Sequence, residues 1–411
     1  MYYFENNRFV NYFYRNIRAL MLIMSVCVGA CVAAQQPSTG DTFSLNKQYY
    51  LLQNYVAKYD SLQKLGGWKS IPKIKKSFTQ GEVDPIIEAV NARLLKEWYL
   101  KNVSFKSDSF DTPLRLALEY FQRNHGCKVS GCIDVETIEA MNIPAERRLE
   151  QLKVNVERWA SMPADLGWRY IIVNVADFKL SVVENNREVL SMKTIVGRYY
   201  RKTPTIHSQL SHIVFNPEWS IPENILVKDI LPEIRKDSLY LPKHHIRVYR
   251  YEKNGSKTEI DRYGIDWQHI SPQHIPFVLI QEPGPWNALG QVKFLFQNPY
   301  HVYIHDTPAK ELFKAKEPIF SSGCIRLSDA LGLAAYLLEP EEPLISEELV
   351  DVIESRGDNY TIALRKQVPV YIDYFTAWVD LAGNLNFRRD VYNKDVLRPR
   401  SLTPVTSLDQ E

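Results

Sequence analysis

The hydrophobic pattern of this chain changes near Pro163, and that change limits the folds that the sequence can adopt. Before it, apolar residues recur at helical spacing, as in segments 49–56 and 86–95. After it come short apolar runs typical of strands, at 169–175, 179–183, 192–196, 212–215, 292–296 and 302–305. The sequence therefore predicts an α+β protein of several domains, helical in its first part and β-rich afterwards.

The predicted domain order follows from these patterns. It consists of a helical scaffold at 41–104, a small helical module at 105–145, a β-rich domain at 168–345, a C-terminal hairpin at 366–395 that packs on the scaffold, and a tail at 396–411. A long insertion at about 221–281, with a charged helix from Glu223 to Lys236, interrupts the β-rich domain. A structureless loop of that size would be unusual in a compact domain, so we expect a lid.

The composition is that of a folded protein with sizeable cores. The chain has 411 residues, of which 45% are hydrophobic and 12% aromatic, and this length suffices for two or three domains. Its formal net charge of +2 lacks the excess of basic residues that marks nucleic-acid binding. We therefore expect no nucleic-acid partner.

The N-terminus reads as a targeting signal rather than as part of the fold. Arg8, Arg15 and Arg18 precede an apolar run at 19–30, which is short for a membrane span, and small residues follow it. Cleavage after residue 34 would release a signal peptide at 1–34, whereas Cys31 could instead be lipidated, and an uncleaved anchor is the third alternative. Each alternative predicts an exported protein of the periplasm or cell envelope.

The segment from His301 to Ala330 carries the residues with the clearest chemistry. Cys324 follows the Ser321-Ser322-Gly323 turn, and His305 lies upstream on a strand whose alternation puts Val302 and Ile304 in a core. A thiol needs a base or a positive helix end to react as a thiolate. Ser328 reads as the N-cap of a helix at 329–338, which would bring such an end near Cys324.

A plainer interpretation exists for each of these side chains. A lone cysteine beside glycine is often a small buried hydrophobic residue, and a lone histidine is often structural. His244 and His245 in the insertion are adjacent, but neither has the neighbouring cysteines or the HExxH spacing of a metal site. We therefore expect no metal and no other cofactor.

The surrounding motifs resemble the L,D-transpeptidases with a YkuD-type catalytic domain. The chain carries the family's His-containing element as His305-Asp306-Thr307-Pro308 and its cysteine turn as Ser321-Ser322-Gly323-Cys324-Ile325-Arg326. Ser322 replaces the second histidine, and Arg326 replaces the asparagine, of many members. Both variants are typical of the larger, multi-domain branch similar to the YcbB group. Further segments resembling that branch lie at 155–159, 169–175, 215–219, 285–290 and 375–380.

The resemblance implies roles for individual residues. Cys324 would be the nucleophile, His305 the general base and acid, and the backbone carbonyl of Asp306 the group that orients the histidine. Backbone N–H groups at Gly323 and Cys324 would form the oxyanion hole. Substrate contacts are expected, in addition, from Tyr303, Ser322 and Arg326.

The implied reaction is transfer between peptidoglycan stem peptides. The enzyme would form 3→3 crosslinks from tetrapeptide stems by a cysteine acyl-enzyme mechanism, and carbapenem-type β-lactams would acylate Cys324. The alternatives are an L,D-carboxypeptidase that trims tetrapeptide stems, attachment of a lipoprotein to the wall, and a wall-binding protein with an inactive catalytic domain. The intact pair of His305 and Cys324 argues against the last.

The small module at 105–145 resembles the type 1 peptidoglycan-binding domain. It carries Phe121-Gln122-x-x-His125-Gly126 and Asp134-x-x-Thr137, which implies a glycan partner. Cys127 and Cys132 replace apolar residues of that domain. In an oxidising exported compartment they are candidates for a disulfide, and the alternative is two small buried side chains.

Overall fold

A computed structural model of the chain describes residues 46–102, 107–271, 275–338 and 357–396. The predicted signal peptide, Cys31 and residues 397–411 of the predicted tail lie outside these ranges. The N-terminal part begins with helices α1 (Lys47–Lys64), α2 (Pro85–Lys96), α3 (Thr112–Asn124), α4 (Val135–Met141) and α5 (Ala145–Ala160). No helix among the described residues is long and apolar enough to cross a membrane.

The helical part has two hydrophobic cores rather than one core per predicted domain. Helices α2, α3 and α4 share a core that extends from Ile71 to Met141. Helices α1 and α5 pack with each other and with the C-terminal strands in a second core. The first core continues across the boundary predicted at 104/105, because α2 buries its apolar stripe against the module helices.

The helical part contains a buried ionic cluster, and three of its side chains, Tyr59, His125 and Arg148, pack on Phe387 of the C-terminal hairpin. Glu97, at the end of α2, lies 2.8 Å from Arg93 and accepts a hydrogen bond of 2.6 Å from Tyr59. Its carboxylate also lies 3.6 Å from His125, whose ring contacts Arg148 at 2.9 Å. Burial alone would raise the pKa of Glu97, but the charges of Arg93 and His125 outweigh it and hold that pKa well below its ordinary value.

The β-rich part is a closed barrel with one added strand. Its strands are β1 (Arg169–Asn174), β2 (Lys179–Glu184), β3 (Arg187–Gly197), β4 (Ile206–Phe215), β9 (Val292–Phe296), β10 (Ile304–His305), β11 (Ile319–Ser321), β12 (Ile325–Leu327) and β13 (Tyr360–Asp373). They follow the order β11-β3-β12-β10-β9-β4-β13-β1-β2, and β2 also pairs with β3. That pairing closes the sheet on itself, which removes its long unpaired edges.

Apolar side chains at every second position of the strands fill the inside of this barrel. Phe294, Ile304 and Ile325 occupy neighbouring positions on β9, β10 and β12, and all three are fully buried in the main core. Helix α9 (Ala330–Leu338) packs into the same core through its buried leucines and alanines. The residues between these apolar positions must therefore point to the opposite face of the sheet.

The insertion between β4 and β9 folds around a small core of its own. It contains helix α6 (Glu223–Ile225), a π-helical turn (Leu226–Ile230), helices α7 (Leu231–Lys236) and α8 (Tyr240–Lys243), and the strands β5 (Trp219–Ser220), β6 (Ile246–Tyr251), β7 (Lys257–Glu259) and β8 (Val278–Gln281). Those strands form a separate sheet in the order β5-β8-β6-β7. The insertion is thus a folded subdomain and not a bare loop.

Two local predictions differ from the structure. The helix cap is Asp329, whose side chain accepts from the Gly332 amide at 2.9 Å, and not Ser328. Strand β12 separates Cys324 from this helix, so the positive helix end does not adjoin the thiol.

The predicted hairpin at 366–395 begins inside β13, which pairs with β1 and β4 in the barrel. Only β14 (Ala377–Val379) and β15 (Leu385–Phe387) form the hairpin that packs on α1 and α5.

Of the two alternatives for Cys127 and Cys132, the structure shows unbridged side chains. Cys127 and Cys132 are both free thiols, each directed toward a nearby backbone carbonyl. In the insertion, His245 stacks on Trp286 with ring centroids 3.7 Å apart, and the ring of His244 lies tilted against that of Tyr240 with centroids 4.3 Å apart. Within the described ranges, no three His, Cys, Asp or Glu side chains are grouped as metal ligands would be.

We predict that Glu97→Ala destabilises the protein by roughly 3–5 kcal/mol, because it leaves buried cations without their carboxylate. The matched control is Glu150→Ala, which removes the partner of Arg147 in an exposed pair and should cost less than about 1 kcal/mol. Urea unfolding monitored by fluorescence measures both changes. Equal losses for the two variants would contradict the prediction.

Candidate active site

Three neighbouring strands present one row of side chains on the face opposite the core. In the register of the sheet, His305 on β10 lies beside Lys293 on β9 and beside Arg326 on β12. Residues that are paired in register point to the same side of a sheet. The row therefore runs Lys293, His305, Arg326, with a histidine between two cations.

Cys324 lies next to this row. It precedes β12 and is two residues from Arg326, so alternation directs its side chain to the same face. The Ile325 amide donates to the Tyr303 carbonyl at 3.1 Å, which anchors the start of β12 beside β10. The aromatic ring of Tyr303 contacts the ring of His305, with centroids 5.8 Å apart. Thiol, imidazole and phenol thus share one site.

The turn that carries the cysteine is held by its own hydroxyl group. The Ser321 hydroxyl donates to the Cys324 carbonyl at 2.5 Å and accepts from the Gly323 amide at 3.1 Å. Gly323 has φ +120°, a region that residues with a side chain rarely adopt. The glycine is therefore needed for the shape of the turn that brings the thiol to the sheet.

Residues 197–203 form a strap over this turn. Thr203 donates its hydroxyl to the Gly323 carbonyl and accepts from the Gly197 amide, both at 2.9 Å. A side chain at Gly197 would start 2.1 Å from the Arg201 carbonyl oxygen, so the close approach of the two segments requires glycine there. The Tyr392 hydroxyl donates to the Gly197 carbonyl at 2.5 Å, which ties the strap to the C-terminal part.

The insertion contacts the site at two points. Arg201 donates to the Ser322 hydroxyl at 2.7 Å and forms an ion pair with Asp229 of the π-helical turn. Tyr303 is hydrogen-bonded through its side chain to Trp219 of β5. The nucleophile turn and the histidine strand are therefore both linked to the subdomain that the insertion forms.

Backbone contacts fix the orientation of His305. Its Nδ1 lies 2.5 Å from the Asp306 carbonyl oxygen, to which it donates. This contact makes Nε2 the nitrogen with the free lone pair in a neutral ring. The Asp306 carboxylate is engaged elsewhere, with Lys310 at 2.5 Å and the Gln291 amide at 3.0 Å. The group of Asp306 that contacts the imidazole is thus its backbone carbonyl.

Burial and the two cations determine the protonation of the pair. Burial lowers the pKa of His305 to about 3, and the charge of Arg326, followed by that of Lys293, acts in the same direction. Burial raises the pKa of the Cys324 thiol, and a backbone hydrogen bond with Tyr303 and the charges of Lys293 and Arg326 only partly offset it. Burial thus favours the neutral form of both groups.

The structure brings together all the predicted site residues, with one difference in detail. The Gly323 N–H donates a hydrogen bond to the Ser321 hydroxyl, so in this conformation it is not available as an oxyanion donor. Lys293 and Arg201 were not among the residues predicted from the sequence. The only sequence signal for Lys293 was its position as a single lysine within the apolar strand at 292–296. Without the strand pairing, that position does not show which residues the lysine lies beside.

We predict that the rate of Cys324 alkylation by iodoacetamide rises about tenfold per pH unit between about pH 6 and 8, because the thiolate fraction does so below the thiol pKa. A histidine whose pKa is lowered to about 3 stays neutral throughout this window, so it adds no inflection near pH 6.5. Mass spectrometry of the Cys324 peptide gives the rate, with Cys324→Ala as the blank. A plateau from pH 5 to 7 would indicate a thiolate–imidazolium pair instead.

We also predict that Arg201→Met loosens the nucleophile turn and the insertion together, since one guanidinium holds both. Amide hydrogen exchange over 319–327 and 223–236 should become about tenfold faster. Lys228→Met, at an exposed position of the same π-helical turn, is the control and should leave both segments unchanged. Faster exchange confined to the strap would show that the three elements are not coupled.

Comparison with known proteins agrees with this geometry. Residues 169–371 match the family described as YkuD, the L,D-transpeptidase catalytic domain. A Haemophilus influenzae protein provisionally assigned as an L,D-transpeptidase is 30% identical over 265 residues, which are 63% of this chain and 52% of that protein. The chain thus spans about half the length of this curated relative.

Solved structures give weaker likenesses. An L,D-transpeptidase of Xylanimonas cellulosilytica is 11% identical with a TM-score of 0.23, covering 74% of this chain and 100% of that one. An L,D-transpeptidase of Mycobacterium smegmatis is 11% identical with a TM-score of 0.24, covering 50% and 58%. Scores this low carry no weight, and the similarity rests on the family match: residues 169–371 match the L,D-transpeptidase catalytic domain described as YkuD.

Proposed function

We propose that this protein is a peptidoglycan L,D-transpeptidase that forms 3→3 crosslinks through an acyl-enzyme on Cys324. The observation that supports this proposal best is the shared sheet face, where Lys293 and Arg326 flank an imidazole whose Nδ1 is held by a backbone carbonyl. The same two cations act electrostatically on the Cys324 thiol. Such an arrangement leaves Nε2 to accept the thiol proton, as a cysteine nucleophile requires. The domain match at 169–371 gives the class of reaction.

The proposed reaction has two steps. In the first, Cys324 attacks the carbonyl carbon of the diaminoacyl residue in a tetrapeptide stem, and His305 takes the thiol proton. The C–N bond to the terminal D-Ala then breaks, and that amine leaves with the proton from His305. In the second, an amine of a neighbouring stem attacks the thioester, His305 takes the proton from that amine, and the thiol is restored as the new amide forms.

The oxyanion of each tetrahedral intermediate needs backbone donors. Because the Gly323 amide is occupied by Ser321, we assign this role to the Cys324 amide, which has no hydrogen-bond partner among the described residues. One such donor can contribute roughly 3 kcal/mol to the transition state. Ser322 and Tyr303 would contact the stem peptide, since both lie between the thiol and the insertion.

Other parts of the protein have proposed roles that follow from the same reaction. The insertion would act as a lid that excludes water and so favours an amine acceptor over hydrolysis. The helical module at 105–145 would bind glycan. The substrate lies in the cell envelope, so we propose that the N-terminal segment directs export to the periplasm or envelope.

Incubation of the purified protein with a disaccharide-tetrapeptide, followed by mass spectrometry, tests the proposed function. We expect a dimer that has lost one D-Ala, and we expect none with Cys324→Ala. Cys127→Ala is the matched control, because it removes another free thiol of the same chain, and it should keep the activity. Tripeptide alone would indicate a carboxypeptidase, and absence of any product would contradict the proposal.

Carbapenem labelling provides a second test that needs no acceptor. The intact mass should increase by one drug molecule in the parent protein and in Cys127→Ala, because Cys324 would open the β-lactam ring as it attacks an amide. Cys324→Ala should stay unlabelled. Labelling that persists in Cys324→Ala would place the reactive nucleophile elsewhere.

A further inference from the structure

The cations of the active-site row have no acidic partner among the residues that the structure describes. The Lys293 ammonium makes no ion pair or hydrogen bond with another described residue, and it lies 3.9 Å from the ring centroid of Tyr303. The Nε of Arg326 is buried without a hydrogen bond inside the described part of the chain. Most other buried or half-buried basic groups of this protein are paired, as Arg93, Arg158 and Arg388 are. The row therefore holds uncompensated positive charge.

This arrangement is unfavourable for the free protein. Half-burial of an ammonium without a counter-ion disfavours its charged form, and Arg198 adds a like charge beside Arg326. Lys293 is nevertheless directed to the face that carries the thiol, because its neighbours Val292 and Phe294 occupy the core. A site that keeps two such cations is suited to a ligand that supplies the missing negative charge.

We propose that Lys293 and Arg326 form a carboxylate-binding subsite next to Cys324, and that its ligand is the terminal carboxylate of the donor stem. This inference rests on the proposed function. The two cations are on either side of His305, and both interact electrostatically with Cys324. A carboxylate bound there would lie within a few ångströms of the sulfur.

The chemistry of the donor selects the terminal carboxylate. In a tetrapeptide stem, the terminal residue joins the scissile carbonyl through its nitrogen, and its carboxylate is only two bonds beyond that nitrogen. A cation that contacts this group is necessarily close to the attacking thiol, as Lys293 and Arg326 are. A side-chain carboxylate of the diamino acid is several bonds more distant from the scissile carbonyl. The subsite would thus make the enzyme select stems that end one residue beyond the attacked carbonyl.

Alkylation of Cys324 tests the subsite without any transpeptidation. Iodoacetate and iodoacetamide react with a thiolate in the same way, but only iodoacetate carries a carboxylate next to the reacting carbon. The ratio of their rates at the Cys324 peptide should fall about tenfold in Lys293→Met, the size of effect that loss of one charge pair gives. Lys293→Arg keeps the charge and should retain most of the ratio.

Lys193→Met is the matched control, since Lys193 is an exposed cation of the same sheet, on β3. Its ratio should equal that of the parent protein. Because each variant is compared with itself using two reagents, a general change in the thiolate fraction cancels. Unfolding would itself lower the ratio, so each variant must first give the far-UV circular dichroism spectrum of the parent protein. A ratio that is the same in Lys293→Met, Lys193→Met and the parent would overturn the subsite.

The nature of the ligand is tested with two donors, a tetrapeptide stem with a free terminal carboxylate and the same stem as its terminal amide. The parent protein should prefer the acid in kcat/KM by about tenfold or more, and Lys293→Met should lose this preference mainly through a higher KM. If the parent uses both donors equally, the subsite does not bind the terminal carboxylate. If the parent crosslinks neither donor, the proposed function fails, while the alkylation ratio still reports on the anion subsite itself.

Discussion

The site depends on the register in which β10 pairs with β9 and β12. A shift of one residue in either pairing would exchange the two faces of a strand, so His305 would enter the core and Ile304 would leave it. The buried row on the other face, with Phe294 and Ile325, makes such a shift costly. The hydrophobic core of the barrel is thus what holds the polar row in place, and barrel closure through β2 and β3 restrains it further.

The nucleophile turn owes its shape to residues from distant parts of the chain. Its short serine and glycine segment is supported by Thr203 and Arg201 of the strap. Through Tyr392 the strap is connected to the C-terminal part, and through Asp229 to the insertion. The thiol is consequently held by three elements at once. Preorganisation of this kind is what an acyl-transfer site needs, because it limits reorganisation during the reaction.

The two buried regions that contain cations differ in whether a carboxylate compensates the positive charge. In the helical part, Glu97 lies among buried cations and compensates them, so the cluster contributes to the fold. In the active site, Lys293 and Arg326 have no such counter-ion among the described residues, and their charges help to keep His305 neutral. In the proposed reaction, a neutral base and a subsite without its own counter-ion would serve a charged substrate at the expense of stability.

Local patterns in the sequence determined which parts are helical and which are β-rich, because the spacing of apolar residues shows itself within a few positions. Local motifs also identified the cysteine turn and the histidine upstream of it. The alternation of apolar and polar residues along 302–305 also indicated that Val302 and Ile304 are buried on the face opposite His305. Only the tertiary structure decided what depends on strand pairing and long-range contacts. It placed Lys293 beside the histidine, engaged the Gly323 amide within its own turn, left Cys127 unbridged, and put a strand between Cys324 and the helix. These features join residues far apart in the chain or rest on the geometry of a turn, which the local sequence pattern does not specify.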